Sequence, residues 1–207
     1  SPLVDAVEPG RQEPIAALTA YDYPMAKLLD ASGVQLLLVG DSLGMVVLGY
    51  PDTTRVTIDE MEHHVRAVAR SKPRGLIVAD LPFKTYETPQ QAVLSATRLI
   101  EAGAEGVKAE GGCLILPQVE AIISAGIPFL GHIGMLPQSI IVEGGYRIKG
   151  SDSAQREALF DDARALAEAG AFSVVLELVN AMVAAEITAM LQIPTIGIGS
   201  GSDCDGQ

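Results

Sequence analysis

Short apolar runs alternate with longer amphipathic ones along almost the whole chain, and this alternation constrains the fold more than any other feature. The apolar runs are IAALTA (15–20), QLLLVGDS (35–42), GLIVADLP (75–82), GVKAEG (106–111), PFLGHIG (128–134), FSVVLELV (172–179) and PTIGIGSG (194–201). Between them lie stretches of helical length at 23–32, 57–71, 88–103, 116–126, 152–170 and 180–191. Local signals mark their ends. Thr57 followed by Glu60 reads as a capping box. Thr88 reads as an N-cap, with Pro89 at the first helical position and Gly103 past the end. Gly33, Gly103, Gly126 and Gly170 each close a helix just before a strand. Strands that alternate with helices predict a parallel sheet with the helices outside it. A (β/α)₈ TIM barrel takes about 250 residues. A chain of 207 residues with seven such strands therefore reads as one barrel domain, 1–207, that lacks its C-terminal part. A doubly wound open sheet is the rival. No G-x-G-x-x-G follows the first strand, which weakens the dinucleotide-binding form of that rival.

Composition limits the partners. The chain is 48% hydrophobic, has no tryptophan and carries a net charge of −12. Its core must be aliphatic, and it is a poor general binder of nucleic acid or anionic membrane. The two cysteines, Cys113 and Cys204, suggest neither a disulfide framework nor a zinc site, so a reducing cytoplasm is expected. The first ten residues lack the basic and apolar regions of a signal peptide. Residues 121–142 carry no Lys, Arg, Asp or Glu, yet glycines, prolines, His132 and Gln138 interrupt them, which argues against a membrane span.

Chemistry enters at the strand ends. VKAEGG (107–112) places Lys108 and Glu110 two residues apart, hence on one face of a strand. Asp41, Asp80, Glu110 and Glu177 each stand at the end of an apolar strand run. In a parallel barrel the C-terminal strand ends share one face, where active sites are built. Carboxylates gathered there raise one another's pKa unless a cation compensates them. Hard oxygen donors without a Cys/His cluster favour Mg²⁺, with Mn²⁺ second. Any single acid after a strand is more often a cap or loop residue. That explanation fits Asp80 poorly, since Leu81-Pro82-Phe83 follows it, and Asp41 precedes Ser42-Leu43-Gly44, which reads as a turn. Lys108 serves either a structural ion pair or a substrate oxyanion. His132, on another strand end, is equally open between a structural and a ligand-facing role. GIGSG (197–201) is a weak anion cradle, and Arg147 and Lys149 lie on a long loop that reads as a lid or as solvated surface. His63 and His64 are adjacent on a helix, so they point to different faces and are no metal pair.

Several of these pieces together resemble a known family. LTAYDYPMAKLLDASGVQLLLVGDSLGMVVLGY (18–50), VADLPF, VKAEGG, GHIGMLPQSI, GGYRIKG, VLELV and IPTIGIGSGSDCDGQ occur in the order seen in the ketopantoate hydroxymethyltransferases. The resemblance implies a barrel of the phosphoenolpyruvate/pyruvate superfamily. It also implies transfer of a hydroxymethyl group from 5,10-methylenetetrahydrofolate to 3-methyl-2-oxobutanoate, through an enolate stabilised by Mg²⁺, in pantothenate synthesis. On matching motifs it implies Asp41 and Asp80 as direct Mg²⁺ ligands, with Glu110 completing the metal site. Asp41, Ser42, Asp80, Lys108 and His132 would surround the 2-oxo acid, and Glu177 would be the general base. A decameric assembly follows from the same resemblance. Asn180 stands where the family usually has proline, Met135-Leu136-Pro137 replaces Leu-Thr-Pro, and SIIVEGGY is atypical. Two rivals are a Mg²⁺-dependent carbon–carbon lyase or phosphonomutase of the same superfamily, and a non-catalytic oligomeric subunit. Neither cysteine has the loop setting that such lyases use.

Overall fold

The structure is a computed structural model that describes residues 14–139 and 145–207. The signal-peptide reading of the first ten residues, and most of the atypical SIIVEGGY stretch, lie outside the described residues. Seven parallel strands form one sheet in sequence order. They are β1 (Ala17–Thr19), β2 (Leu36–Val39), β3 (Leu76–Asp80), β4 (Gly106–Glu110), β5 (Phe129–Gly134), β6 (Ser173–Glu177) and β7 (Thr195–Ile198). The helices are α1 (Tyr23–Ala31), α2 (Leu43–Val46), α3 (Ile58–Ala69), α4 (Pro89–Ala102), α5 (Leu116–Ser124), α6 (Ser153–Ala169) and α7 (Ala181–Met190).

Residues 205–207 bring the two edges of the sheet close to each other. Gly206 bridges β7 and the segment before β1: its N–H donates to Thr195 O at 3.0 Å, and Ile15, two residues before β1, pairs with it in parallel. The Gln207 N–H donates to Ile15 O, and Ala17 N–H donates to Gln207 O, both at 2.9 Å. Asp205–Gln207 thus bridge the gap where the eighth strand of a (β/α)₈ barrel would stand, through isolated pairings alone, and the barrel is partial, as the seven strands imply. No apolar alternation announces a strand at 205–207, so the sequence alone reads as a gap there.

The helix signals are met at atomic level. The Thr57–Glu60 capping box is formed in both directions, and Thr88 Oγ1 accepts from Gln91 N. Gly103 and Gly170 take left-handed backbone (φ 114° and 99°) at the C-caps of α4 and α6, a conformation in which a Cβ is costly. Strand alternation then sorts the side chains. Leu37, Val39, Ile77, Ala79, Val107, Phe129, Ile133, Val174 and Leu176 face the helices and join the main core. Leu36, Leu76, Val78, Leu130, Val175 and Ile196 form a second, smaller cluster inside the barrel, four of them lining a cavity of about 290 Å³. The side chains above that cluster are not apolar, and they make the site.

Candidate active site

Strand periodicity and register bring the acids together. Counting up from the interior cluster, the next inward positions are Asp80 on β3, Lys108 and Glu110 on β4, His132 on β5 and Glu177 on β6. Asp80 is register partner to Lys108, Glu110 to His132 and Gly134 to Glu177. Asp41 follows β2 by two residues and joins from the adjacent loop. Asp41, Asp80, Lys108, Glu110 and His132 are all buried. A one-turn helix, α2, does follow Asp41, where the sequence reads as a turn. Asp41 is not its cap: Ser42 holds that position, without a side-chain capping bond.

A chain of polar contacts runs across four strands. Lys108 Nζ is 2.9 Å from Asp80 Oδ1 and 3.0 Å from His132 Nδ1. His132 Nε2 is 3.1 Å from Glu177 Oε2, a close contact without an aligned hydrogen bond. Asp80 Oδ2 accepts the backbone N–H of Asp41 at 3.1 Å. Lys108 thus pairs across strands with Asp80, not with Glu110 two residues along its own strand. Burial works to lower the Lys108 pKa, but Asp80, Glu110 and Asp41 outweigh it and hold the ammonium at about 12. Burial and the Lys108 charge both lower His132, which stays neutral. A neutral ring that accepts Lys108 at Nδ1 carries its proton at Nε2, facing Glu177.

The acids on the other side are strained electrostatically. Burial first, then the Asp80 charge, raises Asp41 to about 7. Burial also raises Glu110 well above the usual carboxylate range, and Asp41 adds to it against the pull of Lys108. Two residues that the sequence did not single out stand between them. Gln138, in the turn after β5, donates from Nε2 to Asp41 Oδ2 at 2.8 Å and to Leu81 O at 3.0 Å. Its backbone N–H donates to Glu110 Oε2 at 2.9 Å. Tyr86 OH donates to Gln138 Oε1 at 2.6 Å. The one available signal was a lone glutamine in the uncharged stretch 121–142.

The donor set fits a divalent cation. Among the described residues no group of three or more His, Cys, Asp or Glu is already arranged as a metal cage. Yet Asp80 Oδ1 is buried and makes no aligned hydrogen bond, its contact with Lys108 being an ion pair alone. The adjacent Asp41 carboxylate is disfavoured as an anion by burial and by Asp80. A buried oxygen without an aligned donor, beside a second carboxylate, is what a hard cation would satisfy.

The remaining sequence candidates divide. Ser42 lies at the site's edge, its Oγ 2.8 Å from Tyr21 OH. Ser200 of GIGSG is spent structurally: its Oγ accepts Val179 N–H at 3.0 Å and donates to Leu176 O at 2.7 Å. The Lys149 backbone ties its loop to β6, donating to Leu178 O at 2.8 Å and accepting from Asn180 N at 2.9 Å. Asn180 caps α7, its Oδ1 accepting Met182 N–H. The His63 and His64 rings meet edge to face, and His64 Nδ1 contacts Tyr21 O at 2.6 Å. Cys113 and Cys204 are free. No helix among the described residues is long and apolar enough to cross a membrane. A cavity of about 230 Å³ adjoins the carboxylates, lined by Phe83, Lys84, Tyr86, Glu87, Glu110, Ile115 and Gln118.

Fold and site together define a TIM barrel with a cluster of acidic side chains at the carboxyl ends of its strands. Solved structures share the architecture. Phosphoenolpyruvate phosphomutase from Streptomyces platensis subsp. rosaceus superposes with a TM-score of 0.70 at 15% identity, covering 94% of this chain and 70% of that one. An oxaloacetate acetylhydrolase does so with a TM-score of 0.71 at 18% identity, covering 94% and 69%. At such identities the likeness is one of fold. Residues 6–207 match the family model described as ketopantoate hydroxymethyltransferase. The 3-methyl-2-oxobutanoate hydroxymethyltransferase of Moorella thermoacetica is 55% identical over 199 residues, 95% of this chain and 74% of that protein. Its counterpart from Pyrobaculum calidifontis is 54% identical, over 93% and 73%. The chain belongs to the ketopantoate hydroxymethyltransferase family, and so is a transferase enzyme.

Proposed function

We propose that the chain transfers a hydroxymethyl group to C3 of 3-methyl-2-oxobutanoate, with 5,10-methylenetetrahydrofolate as the one-carbon donor and Glu177 as the base. The observation that carries this is the His132–Glu177 contact, with Nε2 and Oε2 3.1 Å apart, at the end of a chain anchored by Lys108. His132 lies against Oε2 and limits how the carboxylate can turn, although its Nε2 makes no aligned hydrogen bond there. The other carboxylate oxygen is left to take a proton. Lys108 supplies a buried ammonium for the substrate's carboxylate or oxo group, with Ser42 at the rim. Asp41 and Asp80 would hold Mg²⁺, with Glu110 behind them. Bound there, the ion would supply a Lewis acid for negative charge that develops on a 2-oxo acid.

The step that the chain's own residues perform is proton removal. The C3–H bond breaks, its electron pair stays on the substrate, and the proton goes to Glu177. The substrate carbon then bonds to the donor's methylene carbon, whose two C–N bonds break as a water supplies the hydroxyl oxygen, and the proton taken from C3 and the one left by that water return to the two tetrahydrofolate nitrogens. The cavity beside Glu110 offers that donor an aromatic edge at Phe83 and a cation at Lys84, whose left-handed backbone (φ 63°) marks a held conformation. By the family resemblance the reaction belongs to pantothenate synthesis in the cytoplasm, in a decameric assembly. The exposed apolar run Met45–Leu48 fits such an interface.

The test is NMR in D₂O. Wild-type protein with Mg²⁺ is expected to exchange the C3 proton of 3-methyl-2-oxobutanoate without folate. Glu177→Gln and EDTA are each expected to stop the exchange. Absence of exchange in the wild type overturns the reading. Exchange that survives Glu177→Gln removes Glu177 as the base.

A further inference from the structure

We infer that Gln138 is a positioning residue that braces four consecutive strand ends and holds the Asp41 and Glu110 carboxylates in their working orientation, with Tyr86 setting the direction of its amide. The inference rests on the Mg²⁺ site proposed above. Gln138 stands in the turn after β5 and is buried. From there it reaches the loop after β2 at Asp41, the loop after β3 at Leu81 and Tyr86, and the end of β4 at Glu110. Among the described residues no other residue hydrogen-bonds to all of these segments through its side chain and backbone N–H together.

The direction of the amide follows from its neighbours. Asp41 Oδ2 and Leu81 O are both acceptors, so the NH₂ end must face them. Tyr86 OH, 2.6 Å from Oε1, then serves as donor to the carbonyl end. Both N–H groups and the carbonyl of the amide are satisfied at once, which leaves it one low-energy orientation. Tyr86 has no acceptor of comparable distance in this network; its contact with Glu110 O is 3.3 Å.

The neutrality of the side chain matters as much as its reach. Asp41, Asp80, Glu110 and Glu177 already crowd the strand ends, and Lys108 is the buried ammonium that faces them. A lysine at 138 would compete with a bound cation, and a carboxylate would add to the repulsion that already raises Asp41. An amide orients Asp41 through Oδ2 while adding no charge, and its backbone N–H does the same for Glu110 through Oε2. Outer partners of this kind typically change metal affinity or activity by about 10–100-fold when removed.

The test uses Gln138→Met, Tyr86→Phe and the double variant. Gln138→Met keeps length and the backbone N–H but removes every side-chain hydrogen bond. Calorimetric titration with Mg²⁺ alone is the main readout, since a merely structural role would leave it unmoved. Proton exchange at saturating Mg²⁺ separates kcat from KM. Gln138→Met is expected to weaken Mg²⁺ at least about tenfold and to lower kcat more than it raises KM. Tyr86→Phe is expected to shift both in the same direction by less, and the double variant to match Gln138→Met, because Tyr86 acts through Gln138. Mg²⁺ affinity within twofold of wild type in a folded Gln138→Met overturns the inference. Should that variant fail to fold, unchanged Mg²⁺ affinity in Tyr86→Phe overturns it equally. Additive losses in the double variant overturn the role given to Tyr86. If wild-type protein takes up no Mg²⁺, the metal reading itself has failed, a result distinct from equal binding by wild type and variants.

Discussion

The Lys108 ammonium stands 2.9 Å from Asp80 Oδ1 in the interior of the barrel, where the lysine is only 3% exposed. The pair spans two neighbouring strands in register, so it joins the site to the sheet that carries it. Removing one partner of a buried pair leaves the other charge uncompensated. Lys108→Met is therefore expected to cost about 3–5 kcal/mol in unfolding free energy, and to abolish C3 proton exchange. Lys108→Arg keeps the charge but changes shape and bulk at a site sized for a single nitrogen, and is expected to recover little. Urea denaturation of the three proteins checks this. A loss under 1 kcal/mol for Lys108→Met would show that the pair is not what compensates Asp80.

His132 predicts an acid-side instability. Burial and the Lys108 charge hold its folded pKa below the ordinary value of 6.5. A depressed folded pKa contributes stability that is present above the unfolded pKa and is lost as pH falls through the folded one. Stability should therefore decline below pH 6.5, because protonation would set a second cation 3.0 Å from Lys108 Nζ. His132→Gln removes the titrating group. The stability gap between wild type and this variant is expected to narrow as pH drops from 7.5 to 5, read from urea midpoints at several pH values. A gap that is constant with pH would mean that His132 does not resist protonation in the folded state.

Much of this was legible in the residues, and the part that was not has a physical cause. The caps of α3 and α4 are local, so Thr57, Glu60, Thr88 and Gly103 announce them. Asp80, Lys108, Glu110, His132 and Glu177 were found because a parallel barrel sends alternate side chains at strand ends to one place. Gln138 and Tyr86 follow no such period. They come from irregular loops, and only the packed barrel brings them to Asp41 and Glu110. The bridges at Asp205–Gln207 escaped for a related reason: they take their hydrogen bonds from β7 and from residues 15–17, and need no apolar pattern of their own. The residues also left the partner of Lys108 open, because the register partner on β3 that lies directly alongside it is defined only once the strands pair.

Metal addition and removal give a third expectation. A ligand that binds only the folded state raises unfolding free energy by about 2.7 kcal/mol at one hundred times its Kd. Mg²⁺ should therefore raise the thermal midpoint of the wild type reversibly, and EDTA should return it. Asp80→Asn is expected to erase the effect, because it removes the anionic charge of the buried carboxylate whose Oδ1 lacks an aligned hydrogen bond. Differential scanning calorimetry with and without 10 mM Mg²⁺, roughly the excess this linkage needs for a Kd near 0.1 mM, makes the comparison. An equal rise in wild type and Asp80→Asn would place the ion elsewhere.

Gly134 separates harm to the fold from harm to the site. It closes β5 with φ 97°, and an added Cβ would lie 2.3 Å from Glu177 O and 2.8 Å from Val179 Cγ2. Left-handed backbone costs a residue with a Cβ about 1–2 kcal/mol before any clash is counted. The clash falls on the backbone of Glu177, whose carbonyl also accepts Met135 N–H at 2.8 Å, so it cannot be relieved by turning a side chain. Gly131 lies on the same strand but faces the helices, where a Cβ would meet the flexible end of Leu166 at 2.8 Å. Gly131→Ala is therefore expected to lower stability while leaving proton exchange near wild type. Gly134→Ala should lower stability and also cut exchange about 100-fold, the scale set by displacing a reacting group by roughly 1 Å. Chemical denaturation and the D₂O exchange rate, measured on both variants, test the contrast. Equal exchange rates at equal stability would mean that the backbone beneath Glu177 is not what sets its position.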